Sequence, residues 1–300
     1  MIMNNMVYKE ITCKKAINKL KRAMPYSWDL NLYGGCEHGC KYCYAMYTKQ
    51  YGNTNDFFNE IHIKTNVIEQ IEKQLRSANW KREVINIGGV TDSYQPIEEK
   101  YKLMPEVLKL LIKYKTPAII STKSDLILRD YDLIDELSRI TYVNIAATIT
   151  TTDENLRKKI EPKGAPWNKR FQMLKTFRNT NASTGLHVMP IIPYLTDSYE
   201  NIDSLFYNAK NSDVYYVLPG TLYLRGYTRR VFLNFIKIEF PKVYNDMLEI
   251  YKSGGADREY KNSLYKMVNK LREKYSLSSS YSNPMKEKLR KNEYEQIKMF

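Results

Sequence analysis

The feature that most constrains this chain is a repeated alternation of short, β-branched apolar runs with amphipathic stretches. Runs at 28–33, 84–88, 117–121, 142–148, 186–192 and 214–218 have the length and composition of buried strands. Between them, apolar residues recur at helical spacing. Val67, Ile68, Ile71 and Leu75 share one helical face, as do Met104, Val107, Leu108 and Leu111. Further helices are expected over 131–139, 168–179 and 199–208. Strand–helix alternation builds a parallel sheet through right-handed crossovers. Six units fit between residues 28 and 240, fewer than the eight of a closed barrel, so the expected fold is α/β, an open partial (β/α)6 barrel of TIM type. Residues 1–27 read as an N-terminal extension. Residues 241–300 read as a charged, helical C-terminal extension, broken at Ser253-Gly254-Gly255 and again over 276–282.

A chain of 300 residues buries a core without disulfides. Its hydrophobic fraction of 43% excludes an intrinsically disordered protein. No run approaches the eighteen or so apolar residues of a membrane span, so no membrane partner is expected. The first fifteen residues lack an apolar signal core, and a cytoplasmic location is expected. Lys and Arg number 47 against 33 Asp and Glu, a net charge of +14. That balance suits DNA or RNA as a partner. It equally suits a lysine-rich composition, because the excess is spread along the chain.

The four cysteines are too few for a disulfide framework at this length. Cys13 stands alone and reads as a plain thiol, whereas Cys36, Cys40 and Cys43 lie within eight residues, in Asn31-Leu-Tyr-Gly-Gly-Cys-Glu-His-Gly-Cys-Lys-Tyr-Cys-Tyr-Ala45. Clustered thiols in such a chain point to a metal or redox centre. Three thiolates in a C-x3-C-x2-C loop hold three irons of a 4Fe-4S cluster and leave the fourth open. Gly34, Gly35 and Gly39 let the backbone curl closely, and Tyr42 shields the loop from water. The alternative is a zinc site of Cys36, His38, Cys40 and Cys43 in a non-catalytic nucleic-acid-binding protein. The tight spacing and the lack of a second cysteine pair favour the iron–sulfur cluster. His62 and His187 are isolated and read as core or surface residues.

With an aromatic before its last cysteine, this loop resembles that of the radical S-adenosylmethionine (SAM) superfamily. Gly88-Gly-Val-Thr-Asp-Ser-Tyr-Gln-Pro96, Ser121-Thr-Lys-Ser-Asp125, Glu161-Pro-Lys-Gly-Ala-Pro166 through Arg170, and Leu218-Pro-Gly-Thr-Leu-Tyr-Leu-Arg-Gly226 resemble its spore photoproduct lyase-like branch. The resemblance runs from about residue 28 to 240. It implies a radical SAM partial barrel with a 4Fe-4S cluster on Cys36, Cys40 and Cys43 and S-adenosyl-L-methionine at the strands' C-terminal ends. It implies an external one-electron reductant of flavodoxin or ferredoxin type, reductive cleavage of the cofactor, and hydrogen abstraction by a 5′-deoxyadenosyl radical. Gly88, Gly89, Lys123, Thr148 and Tyr44 are then the cofactor-binding candidates, with Lys123 pairing the methionyl carboxylate. Tyr42, Tyr44 and Asp92 are the catalytic candidates. Asp92, Tyr94, Glu161 and Arg170 are expected to line the barrel mouth, contacting substrate or forming ion pairs. Arg225, Arg229 and Arg230 are the candidates for anion contact.

One departure bears on activity. Spore photoproduct lyases carry a hydrogen-returning cysteine on the strand corresponding to 86–92. The match here is Gly89, with no thiol nearby in sequence. Repair of the spore thymine lesion by that route is therefore not expected, and the substrate stays open.

Overall fold

A computed structural model describes residues 6–21, 24–51 and 56–297. The strands are β1 (Val7–Ile11), β2 (Ile17–Lys19), β3 (Trp28–Leu30), β4 (Tyr33–Gly34), β5 (Glu60–Lys64), β6 (Ile85–Ile87), β7 (Ala118–Thr122), β8 (Val143–Thr148), β9 (Ser183–Ile191) and β10 (Tyr216–Thr221). The helices are α1 (Val67–Leu75), α2 (Glu98–Tyr101), α3 (Leu103–Lys113), α4 (Tyr131–Ile140), α5 (Glu154–Ile160), α6 (Trp167–Phe177), α7 (Tyr199–Asn211), α8 (Gly226–Glu239), α9 (Tyr244–Ile250), α10 (Arg258–Lys274) and α11 (Ser282–Ile297).

The main sheet has seven strands in the order β10-β9-β8-β7-β6-β3-β2. The six from β3 to β10 pair in parallel, and β2 adds antiparallel to β3. These six are the expected strands, and the architecture is the expected partial barrel. A second, small sheet, β1-β5-β4, was not foreseen. Its strand β1 is almost wholly exposed and shows no apolar alternation to reveal it.

Helical faces dock where their spacing places them. Val67, Ile71 and Leu75 of α1, and Met104, Val107, Leu108 and Leu111 of α3, are buried in the main core. Each such side chain contributes about 1.5–3 kcal/mol by leaving water. The barrel's two exposed liabilities are both met by the C-terminal segment. Val217 N donates to Ser278 O at 2.9 Å, so Ser278 covers the outer edge of β10. Met285 of α11 packs with Val84, Ile119 and Tyr142, a small apolar cluster at the strands' N-terminal ends.

Inside the barrel, Gly185 of β9 stands opposite Tyr216 of β10 in register. A Cβ at 185 would lie 2.0 Å from the Tyr216 ring. The absent side chain is what lets that ring lie across the interior, with its hydroxyl on Asn144 Oδ1 at 2.9 Å. Gly185→Ala should therefore cost about 1–3 kcal/mol by overpacking. Urea denaturation checks this, and an unchanged midpoint would refute it.

Candidate active site

The cysteine loop sits over the C-terminal ends of the strands, clamped on two sides. On one side Glu37 N donates to Gln95 Oε1 at 2.8 Å and Ile97 N donates to Glu37 Oε2 at 2.6 Å. Thr91 Oγ1 donates to Gly35 O at 2.5 Å. On the other side Lys41 N donates to Ile160 O at 2.9 Å and Lys163 N to His38 O at 3.2 Å. Gly35 is needed here in two ways. Its φ is +79°, and a Cβ would lie 2.5 Å from Glu60 O. Glu37 and Gln95 had not been singled out as loop anchors. Their side chains act on segments about sixty residues away, and local sequence carries no such signal.

Cys36, Cys40 and Cys43 line one cavity of about 630 Å³ together with Gly88, Gly89, Lys123 and Thr148. Burial pushes all three thiols up to about 12, and neighbouring acidic groups, Asp92 for Cys36 and Glu161 for Cys40, add to the rise. Such thiols ionise only against strong positive charge, which a bound metal would supply. Among the described residues no three His, Cys, Asp or Glu side chains gather closely enough for a single metal ion. His38 is engaged on both ring nitrogens, with Lys163 O at 3.1 Å and Asp92 Oδ2 at 3.0 Å. With His38 so engaged, the three cysteines are the donors left to hold a metal centre, one thiolate per iron in a cluster.

The family comparison agrees. The Radical SAM superfamily model matches residues 30–206. The chain belongs to the radical SAM superfamily. It is an enzyme of radical chemistry, and membership implies a 4Fe-4S cluster and SAM. An uncharacterized protein of Mycobacterium tuberculosis is 31% identical over 284 residues, 93% of this chain and 84% of that one. One of Methanocaldococcus jannaschii is 29% identical over 262 residues, 87% and 93% of the two chains. Among solved structures, a spore photoproduct lyase mutant with bound AdoMet and dinucleoside spore photoproduct aligns with a TM-score of 0.66 at 15% identity, covering 90% of this chain and 79% of that one. Streptococcus suis SuiB bound to precursor peptide SuiA aligns at 0.52 and 13% identity, covering 84% and 47%. These likenesses are of fold.

Within the radical SAM barrel, each candidate residue has a distinct setting. Lys123 follows β7. Burial works against its charge, but Cys40, Glu161 and Asp92 outweigh it and keep the ammonium protonated. Its Nζ lies over the Tyr42 ring at 5.8 Å. It makes no salt bridge to a described residue, so it is available to a ligand carboxylate. Gly88 takes φ +85°, where a Cβ would lie 2.9 Å from Thr91 O. The exposed Tyr44 donates to Gly89 O at the cavity edge.

Asp92 is buried and fully engaged. It accepts from Thr122 Oγ1 at 2.8 Å, Lys123 N at 2.8 Å and Tyr94 N at 2.9 Å, besides meeting His38. Burial alone would raise its pKa, but His38 and these donors hold it down to about 2. Asp92 thus ties the cysteine loop to the ends of β6 and β7, the geometry of a positioning residue. Asp92→Ala should cost about 2–3 kcal/mol through the lost charged hydrogen bonds. Urea denaturation would show it, and an unaltered midpoint would contradict it.

Several expectations are corrected. Tyr94, Glu161 and Arg170 do not line the barrel mouth. Tyr94 is fully buried and donates to Asp130 Oδ2 at 3.0 Å. Glu161 and Arg170 form an ion pair of 2.6 Å with both side chains 0% exposed. Arg170 also donates to Thr148 O and Ala165 O, each at 2.7 Å, and Tyr42 donates to Glu161. The pair is a brace behind the loop. Gly164 makes room for it, since a Cβ there would lie 2.4 Å from Arg170 Nη2. Arg229, half-buried, donates one of its guanidinium hydrogens to Tyr251 O. His187, read as a core or surface residue, instead lines the cavity.

The absent thiol also gains a structural reason. A Cβ at Gly89 would lie 2.2 Å from Asp29 Oδ2, so a side chain at position 89 requires the Asp29 carboxylate to move. On β6 the side chain that reaches the cavity is Asn86, held by Asp29 Oδ1 at 2.6 Å. Cys13 is not among the cavity residues. Its backbone N donates to Asn66 Oδ1, beside the start of α1.

Proposed function

We propose that the chain is a radical SAM enzyme holding a 4Fe-4S cluster on Cys36, Cys40 and Cys43, with SAM bound against Gly88, Gly89, Lys123 and Thr148. The observation that carries this reading is the convergence, on one cavity at the strand ends, of three separated thiols and an ammonium that makes no salt bridge among the described residues. When bound, these groups supply one-electron cleavage of a sulfonium and a radical that takes hydrogen from substrate. The protein's own residues bind, orient and exclude water. Lys123 offers one ammonium to one carboxylate. Gly88 and Gly89 line the cavity and would present backbone to a ligand there. Tyr42 and the Glu161–Arg170 pair behind it exclude water from the loop's inner side. Asp92 is proposed as the positioning residue that keeps loop and strand ends in register. An external reductant of flavodoxin or ferredoxin type is the proposed electron source, and the cytoplasm the proposed location. Among the described residues no helix is long and apolar enough to cross a membrane.

The proposed substrate class is nucleic acid. Tyr44 and Tyr223, 54% and 51% exposed, stand at the cavity, where bases would stack. Arg225 lies over the Tyr223 ring at 5.4 Å and Arg230 over Tyr227 at 5.1 Å, placing cations for phosphates. With no thiol on β6 entering the cavity, lesion reversal by thiol hydrogen return is not part of the proposal.

Anaerobic reconstitution is expected to load about four irons per chain, one per cluster corner. Dithionite and SAM should then release 5′-deoxyadenosine. Stoichiometric zinc with no nucleoside release would overturn the assignment. Single-stranded oligonucleotides titrated across a salt series should bind with an affinity that falls as salt rises. Absence of binding at low salt would remove nucleic acid as the substrate class and leave the radical chemistry standing.

A further inference from the structure

His187 of β9 lies beside Thr148 of β8 in register and lines the cavity. Its Nε2 is 3.2 Å from Tyr216 Oη. The Tyr216 hydroxyl donates to Asn144 Oδ1 at 2.9 Å, and that amide is oriented by its Nδ2, which reaches Ser183 O at 3.4 Å. A phenol has one hydrogen to give. With that hydrogen on Asn144, Tyr216 Oη meets His187 as an acceptor, so Nε2 carries the imidazole hydrogen. Nδ1 is then the bare nitrogen of a neutral ring. Among the described residues no hydrogen bond reaches Nδ1.

Two further observations show that this arrangement is built in. Gly185 leaves the space in which the Tyr216 ring lies. Burial first, and then the Lys123 charge, push the imidazole down to about 4. The titratable groups facing it are Lys123, following β7, and Tyr216, on β10. The ring is therefore neutral at ordinary pH and offers an acceptor to whatever enters the cavity.

We propose that His187 is a substrate-recognition residue whose bare Nδ1 accepts a hydrogen bond from an N–H or O–H group of the substrate. The proposal rests on the reading of this cavity as the radical site. His187 is half-buried at the cavity wall, so a ligand that supplies a donor to Nδ1 gains a hydrogen bond that one lacking it does not make. A cationic imidazole would instead select anions, and both burial and the Lys123 charge work against that form.

The test uses the anaerobically reconstituted full chain and diethyl pyrocarbonate, which acylates bare imidazole nitrogens. The three histidines are followed by peptide mass. His187 should be modified at a rate that changes less than about twofold between about pH 5.5 and 7.5, where an ordinary imidazole slows about tenfold toward the acid end. Excess uracil, which has N–H donors, should slow the modification at least about threefold, whereas 1,3-dimethyluracil, which lacks them, should not. No modification of His187, a tenfold acid slowing, or equal effects of the two pyrimidines would each overturn the proposal. Failure of the radical SAM reading is separately visible in the same preparation, as absence of 5′-deoxyadenosine release.

Discussion

Cys40→Ala, and equally Cys36→Ala or Cys43→Ala, is expected to lower 5′-deoxyadenosine release by at least about a hundredfold, since each thiolate serves one iron. Iron retained after desalting should fall in parallel. The fold itself should survive. All three thiols sit on the loop over the strand ends, and the main core contains none of them. Far-ultraviolet circular dichroism would therefore stay unchanged while metal loading collapses. Cys13→Ala is the internal control, because Cys13 lies beside α1 and away from the cavity. Full nucleoside release from any of the three loop variants would refute the cluster assignment.

The second large effect is on stability. Arg170→Met leaves Glu161 charged and fully buried with its cation gone. Removing one partner of a buried pair costs about 3–5 kcal/mol. The loss should exceed that of any surface ion pair, such as Lys109–Glu106, for which about 0–1 kcal/mol is ordinary. Adding Glu161→Leu to Arg170→Met removes the stranded carboxylate, so the double variant should lose less than the sum of the two singles. Urea denaturation of the four proteins gives the coupling directly. Additive losses would mean that the two side chains do not act as a pair. Tyr42 adds a local readout. Its hydroxyl donates to Glu161, so its environment next to the cysteine loop should change in either single variant.

Much of the framework was legible from residue order. The six parallel strands could be read because most of their residues are buried and their apolar residues cluster in short runs. Val143–Thr148, buried at every position, is the clearest case. The helices between them carried the helical apolar period. The three thiols were legible for a different reason, since a ligand set on one short loop is a local property. The strand-end candidates Gly88, Lys123 and Thr148 were found through motif resemblance, and the fold brings all three to the same cavity as the thiols. By contrast β1, exposed along its length, left no pattern to read.

Other residues were misread because their settings depend on distant parts of the chain. Glu161 and Arg170 were expected at the barrel mouth, contacting substrate or forming ion pairs; they do form an ion pair, but not at the mouth. Mutual neutralisation, two carbonyls from the backbone and the space left by Gly164 place them inside instead. His187 appeared as a lone histidine in a strand. What makes it a cavity acceptor is a tyrosine on the next strand, an asparagine on the strand before, and a glycine two residues earlier.

The order of residues alone thus determined the parallel α/β barrel, its open side and the thiol loop, because periodicity and short-range spacing are written within a few dozen positions. Tertiary structure alone decided which polar groups are spent on holding the loop and which are left for a ligand. That division depends on hydrogen-bond partners sixty or more residues apart, and only folding brings them within three ångströms, as Glu37 with Ile97 and Tyr42 with Glu161 illustrate.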